Sequence, residues 1–253
     1  MKTIAICNLK GGVAKTTTVI NMASILAKDY KKRVLVIDAD SQCNTSEFFG
    51  AADNLFTLAD ILRHSDSPVG VYASNYPGID ILPGSDTLMD LDLTKVEMQS
   101  VQVNAIKMIT DDPATEYAYD YCIIDCPPAF NAASAAALLA ADEVIIPIKL
   151  DAFSIRGMAN LMHQIANMRQ INPGLTLAGL LPTMWYKSDK TQCAEQDLQK
   201  AGFTVYPHIR RTDKVDDMTY EQEPLVAFSP RSAAGVDYRR FVRGYLEGGH
   251  DNG

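Results

Sequence analysis

Asn8-Leu9-Lys10-Gly11-Gly12-Val13-Ala14-Lys15-Thr16-Thr17-Thr18 follows a short apolar run and precedes a helical pattern. Strand, loop and helix in that order are the setting a phosphate-cradling loop requires. Gly11 and Gly12 let backbone amides turn inward and approach phosphate oxygens closely, and a helix starting near Thr16 presents its positive dipole end to the anion. In such a loop Lys15 neutralises the β and γ phosphates and Thr16 gives its hydroxyl to Mg²⁺. The stretch Lys10 to Thr17 is therefore expected to bind the phosphates of a nucleoside triphosphate, MgATP. The general pattern Gly-x-x-x-x-Gly-Lys-Ser/Thr is not met, because Leu9 stands at its first glycine and Ala14 precedes the lysine. What is met is a variant, Lys-Gly-Gly-x-x-Lys-Thr, with an added lysine, Lys10, at its start. A positive φ at Ala14 would carry strain that glycine avoids.

Two carboxylates follow at strand ends. Asp38-Ala39-Asp40-Ser41-Gln42-Cys43-Asn44 closes a second apolar run and places Asp40 just past it, where it can face the γ phosphate and the metal. Tyr121-Cys122-Ile123-Ile124-Asp125, followed by Cys126-Pro127-Pro128, resembles a Walker B strand, an apolar run that delivers Asp125 toward Mg²⁺ through water. A carboxylate closing an apolar strand needs a charged or hydrogen-bonding partner, and a metal shell provides one.

These residues need elements to hold them. Strands are expected at Thr3 to Asn8, Arg33 to Asp38, Ile79 to Pro83, Tyr121 to Asp125, Glu143 to Ile148, Leu175 to Leu181 and Thr204 to His208. Helices are expected at Ala132 to Ala141, Ile155 to Arg169, Gln192 to Ala201 and Ala233 to Leu246, with Val19, Met22, Ala23 and Leu26 forming the apolar face of the first one. Such alternation predicts an α/β fold, a mainly parallel twisted sheet with helices on both faces, whose ligand lies beyond the carboxyl ends of the strands. The chain has 253 residues, 47% hydrophobic and 21% charged, with no linker or repeat to divide it, so residues 1–253 are read as one domain. A net charge of −8 argues against a surface basic all over, though not against a local basic patch. The chain enters directly into a strand-like run, without a signal-peptide pattern or a membrane-length apolar run, which predicts a cytoplasmic protein. The five cysteines lack metal-ligand spacing and are read as free thiols.

The chain closely resembles the ParA/Soj branch of the deviant-Walker ATPases in the ParA/MinD superfamily. The resemblance covers nearly the whole chain and rests on Lys10 to Thr17, Asp38 to Gln42, Gly78 to Gly84, Tyr119 to Pro128 and Asp142 to Pro147. It implies an ATPase in which ATP joins two subunits face to face, each giving the extra lysine, here Lys10, to the partner's phosphates. It also implies Asp40 for water activation and as a metal-side residue, with Asp125 behind the Mg²⁺. Adenine contacts are implied for the segment Pro182-Thr183-Met184 and the loop with Pro207, Ile209 and Arg210. The family's ATP-bound dimer binds DNA without sequence preference, and a ParB-like centromere-binding partner stimulates slow hydrolysis and releases it, so a nucleoid-associated partition protein for plasmid, mobile-element or chromosomal DNA is implied. Ala14 replaces a usual Gly, Ser41 a usual Pro and Cys43 a usual Gly.

The family's DNA-contact positions map onto Lys190, Arg211 and Lys214, diluted by Asp189, Asp213, Asp216 and Asp217. An alternative is a MinD-like positioning ATPase acting on a membrane or protein cargo, but the stretch from Arg243 to Gly253 has little cationic amphipathic character. An iron–sulfur reductase would need cysteines placed to bridge a dimer, and Cys122 and Cys126 flank a core strand instead. A non-enzymatic nucleotide sensor would bind ATP without turnover. With the first strand at the start of the chain, no N-terminal helix-turn-helix and no operator-specific repression are expected. The lone Trp185 lies near the adenine and DNA segments and is read as partly buried at the surface.

Overall fold

A computed structural model describes residues 1–63, 68–91 and 104–248. Strands β1 (Lys2–Ile6), β2 (Val34–Asp38), β3 (Tyr72–Ala73), β4 (Ile79–Leu82), β5 (Tyr121–Asp125), β6 (Glu143–Lys149) and β7 (Thr176–Thr183) form one sheet in the order β3-β4-β2-β5-β1-β6-β7. All neighbouring pairs are parallel except β3, which runs antiparallel to β4. β2 is buried at all five positions, which is why its sequence is apolar without alternation.

Helices cover both faces. On one side lie α3 (Leu58–Arg63), α4 (Ala105–Thr110), α6 (Ala132–Ala140) and α7 (Ala152–Met168), whose apolar residues join those of the sheet in one core cluster. The other side carries α1 (Lys15–Lys28), α9 (Lys214–Glu221), α10 (Leu225–Phe228) and α11 (Ala233–Leu246) around a second cluster. Short α2 (Asn44–Phe48) and α5 (Pro113–Ala118), and the amphipathic α8 (Asp189–Lys200), complete the helices. The anticipated apolar face of α1 is buried, as are the residues around it from Thr18 to Ala27, so this helix is a core element.

The expected strand Thr204 to His208 is not a regular strand. The segment does run beside β7, with parallel bridges only at Leu180 with Val205 and Trp185 with Arg210. Leu180 N donates to the Thr204 carbonyl at 2.8 Å and Tyr206 N to the Leu180 carbonyl at 2.9 Å. The ladder then meets Pro182, which accepts from Ile209 N at 2.8 Å but has no N–H to return. Elsewhere the differences are at element ends. Helix α7 starts at Ala152 because the Asp151 side chain caps it, accepting from Phe153 N and Ser154 N. Helix α8 starts at Asp189 behind a capping box made by Ser188 and Thr191. Of the C-terminal stretch, residues 249–253 lie outside the described residues.

Gly84 locks the turn after β4 against the end of β2. A Cβ there would lie 2.9 Å from the Asp38 carbonyl oxygen and 3.1 Å from that of Asp40. Gly84→Ala is expected to destabilise the protein by about 1–3 kcal/mol, since backbone must move to admit the methyl group. Urea unfolding measures this, and an unchanged midpoint would refute it.

Candidate nucleotide site

Parallel register delivers the site. Asp38 and Asp125 are Cα partners across β2 and β5, and Ile6, two residues before the loop begins at Asn8, is paired with Asp125 across β1 and β5. Three strand ends therefore open on one place.

The loop adopts the conformation its sequence anticipates, at the cost it anticipates. Gly12 has φ 68°, and Ala14 has φ 65° and ψ 35°, left-handed backbone at a non-glycine residue. Cys43, the other position where the family has Gly, is likewise left-handed, at φ 54°. Nothing lies within 4 Å of where a Cβ would sit on Gly11 or Gly12, so the space before the loop is open. The loop is tied to the sheet by Thr183, whose hydroxyl donates to the Val13 carbonyl at 3.1 Å. Ala14→Gly removes a left-handed cost of about 1–2 kcal/mol and adds about 0.4–1 kcal/mol of unfolded-chain freedom. A small net stabilisation, about 0–1.6 kcal/mol, is the expected result, and destabilisation in a denaturant titration would show the loop needs the methyl group.

Around Asp125 the polar groups converge without closing. Thr16 Oγ1 donates to Asp125 Oδ2 at 2.7 Å, and Thr45 Oγ1 donates to the same oxygen at 2.6 Å. Asp125 Oδ1 is buried with no hydrogen-bond partner. Beside it Asp38 accepts from Ser46 N at 2.8 Å and Ser46 Oγ at 2.6 Å, and Ser46 Oγ in turn accepts from Gly84 N. Burial and then the Asp125 charge push Asp38 up to about 7. Burial also raises Asp125, to about 6, against the lowering effect of Thr45, Thr16 and Lys15. Two buried carboxylates with an unpartnered oxygen are the chemistry a divalent cation satisfies. Among the described residues no cluster of three or more His, Cys, Asp or Glu could hold a metal by itself. Such a cation would have to share its shell between the Thr16 hydroxyl and phosphate oxygens, the mode suited to Mg²⁺. The residues fit MgATP.

The two lysines part company. Lys15 is nearly buried, and its ammonium reaches only the Lys10 carbonyl, at 3.4 Å. Lys10 Nζ is engaged by Asp151 Oδ1 and Oδ2 at 3.1 and 3.0 Å and by Ser154 Oγ at 2.9 Å. Burial pushes Asp151 up, but the Ser154 amide and the Lys10 ammonium more than reverse it, to about 2. Asp40 is half-buried and accepts from Gln42 N at 3.1 Å, so its carboxylate shapes the turn after β2. Sequence reasoning passed over Asp38, Thr45, Ser46 and Asp151.

A cavity of about 650 Å³ adjoins the loop's side of β7. Met184, Ile209 and Arg210 of the expected adenine set line it, together with Asp151, Thr183 and Trp185. Pro182 and Pro207 do not line it; Pro182 acts through its carbonyl, bonded to Ile209 N. The Arg210 guanidinium is committed to Asp237, with Nε to Oδ2 at 2.7 Å and Nη2 to Oδ1 at 2.9 Å. Trp185 is half-buried, as expected, and stacks on His208 with ring centroids 3.7 Å apart. Of the three DNA positions, Lys190 is exposed on α8, Arg211 lines this cavity and Lys214 is ion-paired with Asp217 at 2.7 Å. All five cysteines are free, and Cys122 and Cys126 are fully buried.

Comparison with known proteins gives the family. The AAA domain family matches residues 1–177. The chromosome partitioning protein ParA of Caulobacter vibrioides is 32% identical over 259 residues, spanning 96% of this chain and 93% of that protein. The sporulation initiation inhibitor protein Soj of Bacillus subtilis is 30% identical over 249 residues, spanning 94% and 95%. Apo McdA of Cyanothece superposes with a TM-score of 0.84 at 23% identity, over 97% of this chain and 99% of that one. The ATP complex of an McdA variant gives 0.82 at 24%, over 98% and 96%. At those identities the structural likeness speaks for the fold. With the AAA domain model matching residues 1–177 and relatives 32% and 30% identical over nearly the whole chain, the chain belongs to the ParA/Soj family of ATPases in the ParA/MinD superfamily.

Proposed function

We propose that this ATPase is a partition protein: MgATP joins two copies face to face, the dimer binds DNA without sequence preference, and slow hydrolysis, stimulated by a ParB-like partner, releases it. Lys15 and the amides of Gly11 to Thr17 hold the phosphates, Thr16 holds Mg²⁺ with Asp125 behind it, and Asp40 positions the attacking water. Met184, Ile209 and the backbone near Arg210 bound the adenine, with Pro182 and Pro207 shaping that segment. Lys190, Arg211 and Lys214 are the first candidates for phosphate contacts on DNA. The protein is then cytoplasmic and nucleoid-associated, and its cargo is plasmid, mobile-element or chromosomal DNA.

The observation that carries this reading is the position of Lys10. Its ammonium is engaged by Asp151 and Ser154 at the start of α7, not by the loop it belongs to. Phe153 between them is 74% exposed, a large apolar side chain beside a charged one, as a face awaiting a protein partner would show. A second copy arriving there covers Phe153 and brings Lys10 to the partner's phosphates.

The test is sedimentation and DNA retention with ADP and with ATP. ATP is expected to shift the protein to a dimer and to confer retention that falls steeply between about 50 and 200 mM salt. A dimer without DNA retention would sink the DNA half of the proposal, and a monomer in ATP would sink both.

A further inference from the structure

Of the three cations at the family's DNA positions, two are poorly disposed for phosphate: Lys214 is paired with Asp217, and Arg211 lines the 650 Å³ cavity, which leaves Lys190 alone exposed on α8. A more concentrated basic surface lies elsewhere. Two cavities flank the C-terminal end of α1: Arg239, Arg240 and Arg243 line one of about 340 Å³, and Lys28, Lys31, Lys32 and Arg33 line the other, of about 560 Å³. Arg239 joins the two flanks, its guanidinium bonded to Asp29 Oδ2 at 2.8 Å and to the Val226 carbonyl at 3.2 Å. Seven of the chain's 23 basic residues gather here, against Asp29 and Glu223 in the cavity walls, in a protein whose net charge is −8.

Several of these charges are already engaged. Asp29 is taken up by Arg239, Lys32 faces Asp120 at 3.6 Å, and Arg33 Nη2 donates to the Tyr117 carbonyl. Lys28, Arg240 and Arg243 have no carboxylate partner among the described residues, although Glu247 follows Arg243 by one turn. Arg240 and Arg243 are both exposed and stand three residues apart on α11, hence on one face, with Tyr30 and Val236 lining the same cavity.

We infer that this end of the molecule, Lys28 of α1 with Arg240 and Arg243 of α11, is a phosphodiester-binding surface that contacts the DNA backbone. The inference rests on the reading above that the protein binds DNA, and relocates the contact. Unpaired guanidinium groups at one-turn spacing suit successive backbone phosphates and read no bases. A lipid surface is the poorer match, because an interfacial helix needs large apolar residues beside its cations. On α11, Tyr238, Phe241 and Val242 are buried in the core and Tyr245 and Leu246 are partly buried against it, leaving Val236 as the exposed large apolar side chain. The surface lies about 20 Å from the phosphate loop, the length of α1 at 1.5 Å per residue. It is therefore present in each protomer regardless of nucleotide, and ATP acts by pairing two such surfaces, multiplying a weak contact through avidity.

The experiment measures anisotropy of a labelled duplex of arbitrary sequence with wild type, R240E/R243E and K190E/R211E, each with ATP across a salt series, alongside anionic vesicles of phosphatidylglycerol. Four phosphate contacts vanish from the dimer in R240E/R243E, so the slope of log affinity against log salt should fall by about 3 to 4. K190E/R211E should change it less. Unfolding midpoints and ATP-dependent dimer formation report whether each variant is folded. If R240E/R243E folds, dimerises and binds DNA as wild type does, the inference is overturned while the DNA reading stands. If wild type binds no DNA, the DNA reading itself fails and the inference with it. Vesicle binding lost in R240E/R243E, without DNA binding, would assign the patch to lipid and overturn it equally.

Discussion

Lys10→Ala is expected to lower ATP turnover by about 10³-fold or more while leaving nucleotide affinity of the single protomer within a few-fold, because a cation supplied in trans acts on the transition state and not on resting binding. The geometry motivates the separation. Lys15 belongs to the cradle, nearly buried beneath it, whereas the Lys10 ammonium has three bonds to Asp151 and Ser154 at the start of α7. Removing Lys10 therefore takes nothing from the phosphate contacts that one chain can make. Turnover at saturating ATP, with affinity from a fluorescent nucleotide or from Trp185 beside the cavity, separates the two effects.

Mixing makes the trans role decisive. A Lys10→Ala protomer has an intact cradle and lacks only the lysine it should give to its partner; a Lys15→Ala protomer has a failed cradle but can still offer Lys10. In a two-fold dimer formed at random from equal amounts, half the dimers are mixed and each has one complete site, so about a quarter of wild-type turnover should return. No recovery on mixing, with dimers confirmed by sedimentation, would place Lys10 in its own site and remove the main support for a face-to-face dimer.

What the sequence could show follows from how local each feature is. The phosphate loop is written in consecutive residues between a strand and a helix, and even its strain was legible, since Ala14 stands where glycine is usual and takes φ 65°. Asp38 was less legible: its role comes from pairing with Asp125 across β2 and β5, a register between positions 87 residues apart that no local pattern encodes. Thr45 reads as an ordinary polar turn residue until α2 carries its hydroxyl to Asp125 Oδ2. Asp151 is 141 residues from the lysine it holds, though its place before an apolar helix is an N-cap signal that could have been used. The strand expected at Thr204 to His208 failed for a reason in the partner strand: Pro182 on β7 lacks the N–H that a continuous ladder requires.

Asp125→Asn should have two effects of opposite sign. Asp125 is a buried carboxylate beside the buried Asp38, with Oδ1 unpartnered and burial the main force pushing its proton affinity up. An amide keeps the shape, still accepts from Thr16 and Thr45, and carries no charge to desolvate. Apo stability should rise by about 1 kcal/mol or more, as relief of an unpaired buried charge does. With MgATP bound, the same charge would become useful, because Asp125 would hold the Thr16 hydroxyl by its hydrogen bond and offset the charge of a cation that Thr16 would ligate. Losing such an outer partner typically lowers metal affinity or activity by about 10–100-fold. Thermal unfolding with no ligand, with ATP and EDTA, and with MgATP therefore gives a crossing pattern: the variant melts above wild type when free, and gains less than wild type from MgATP. A variant that melts lower when free would show Asp125 to be structurally stabilised as it stands. An unchanged MgATP increment would show that the cation does not depend on Asp125.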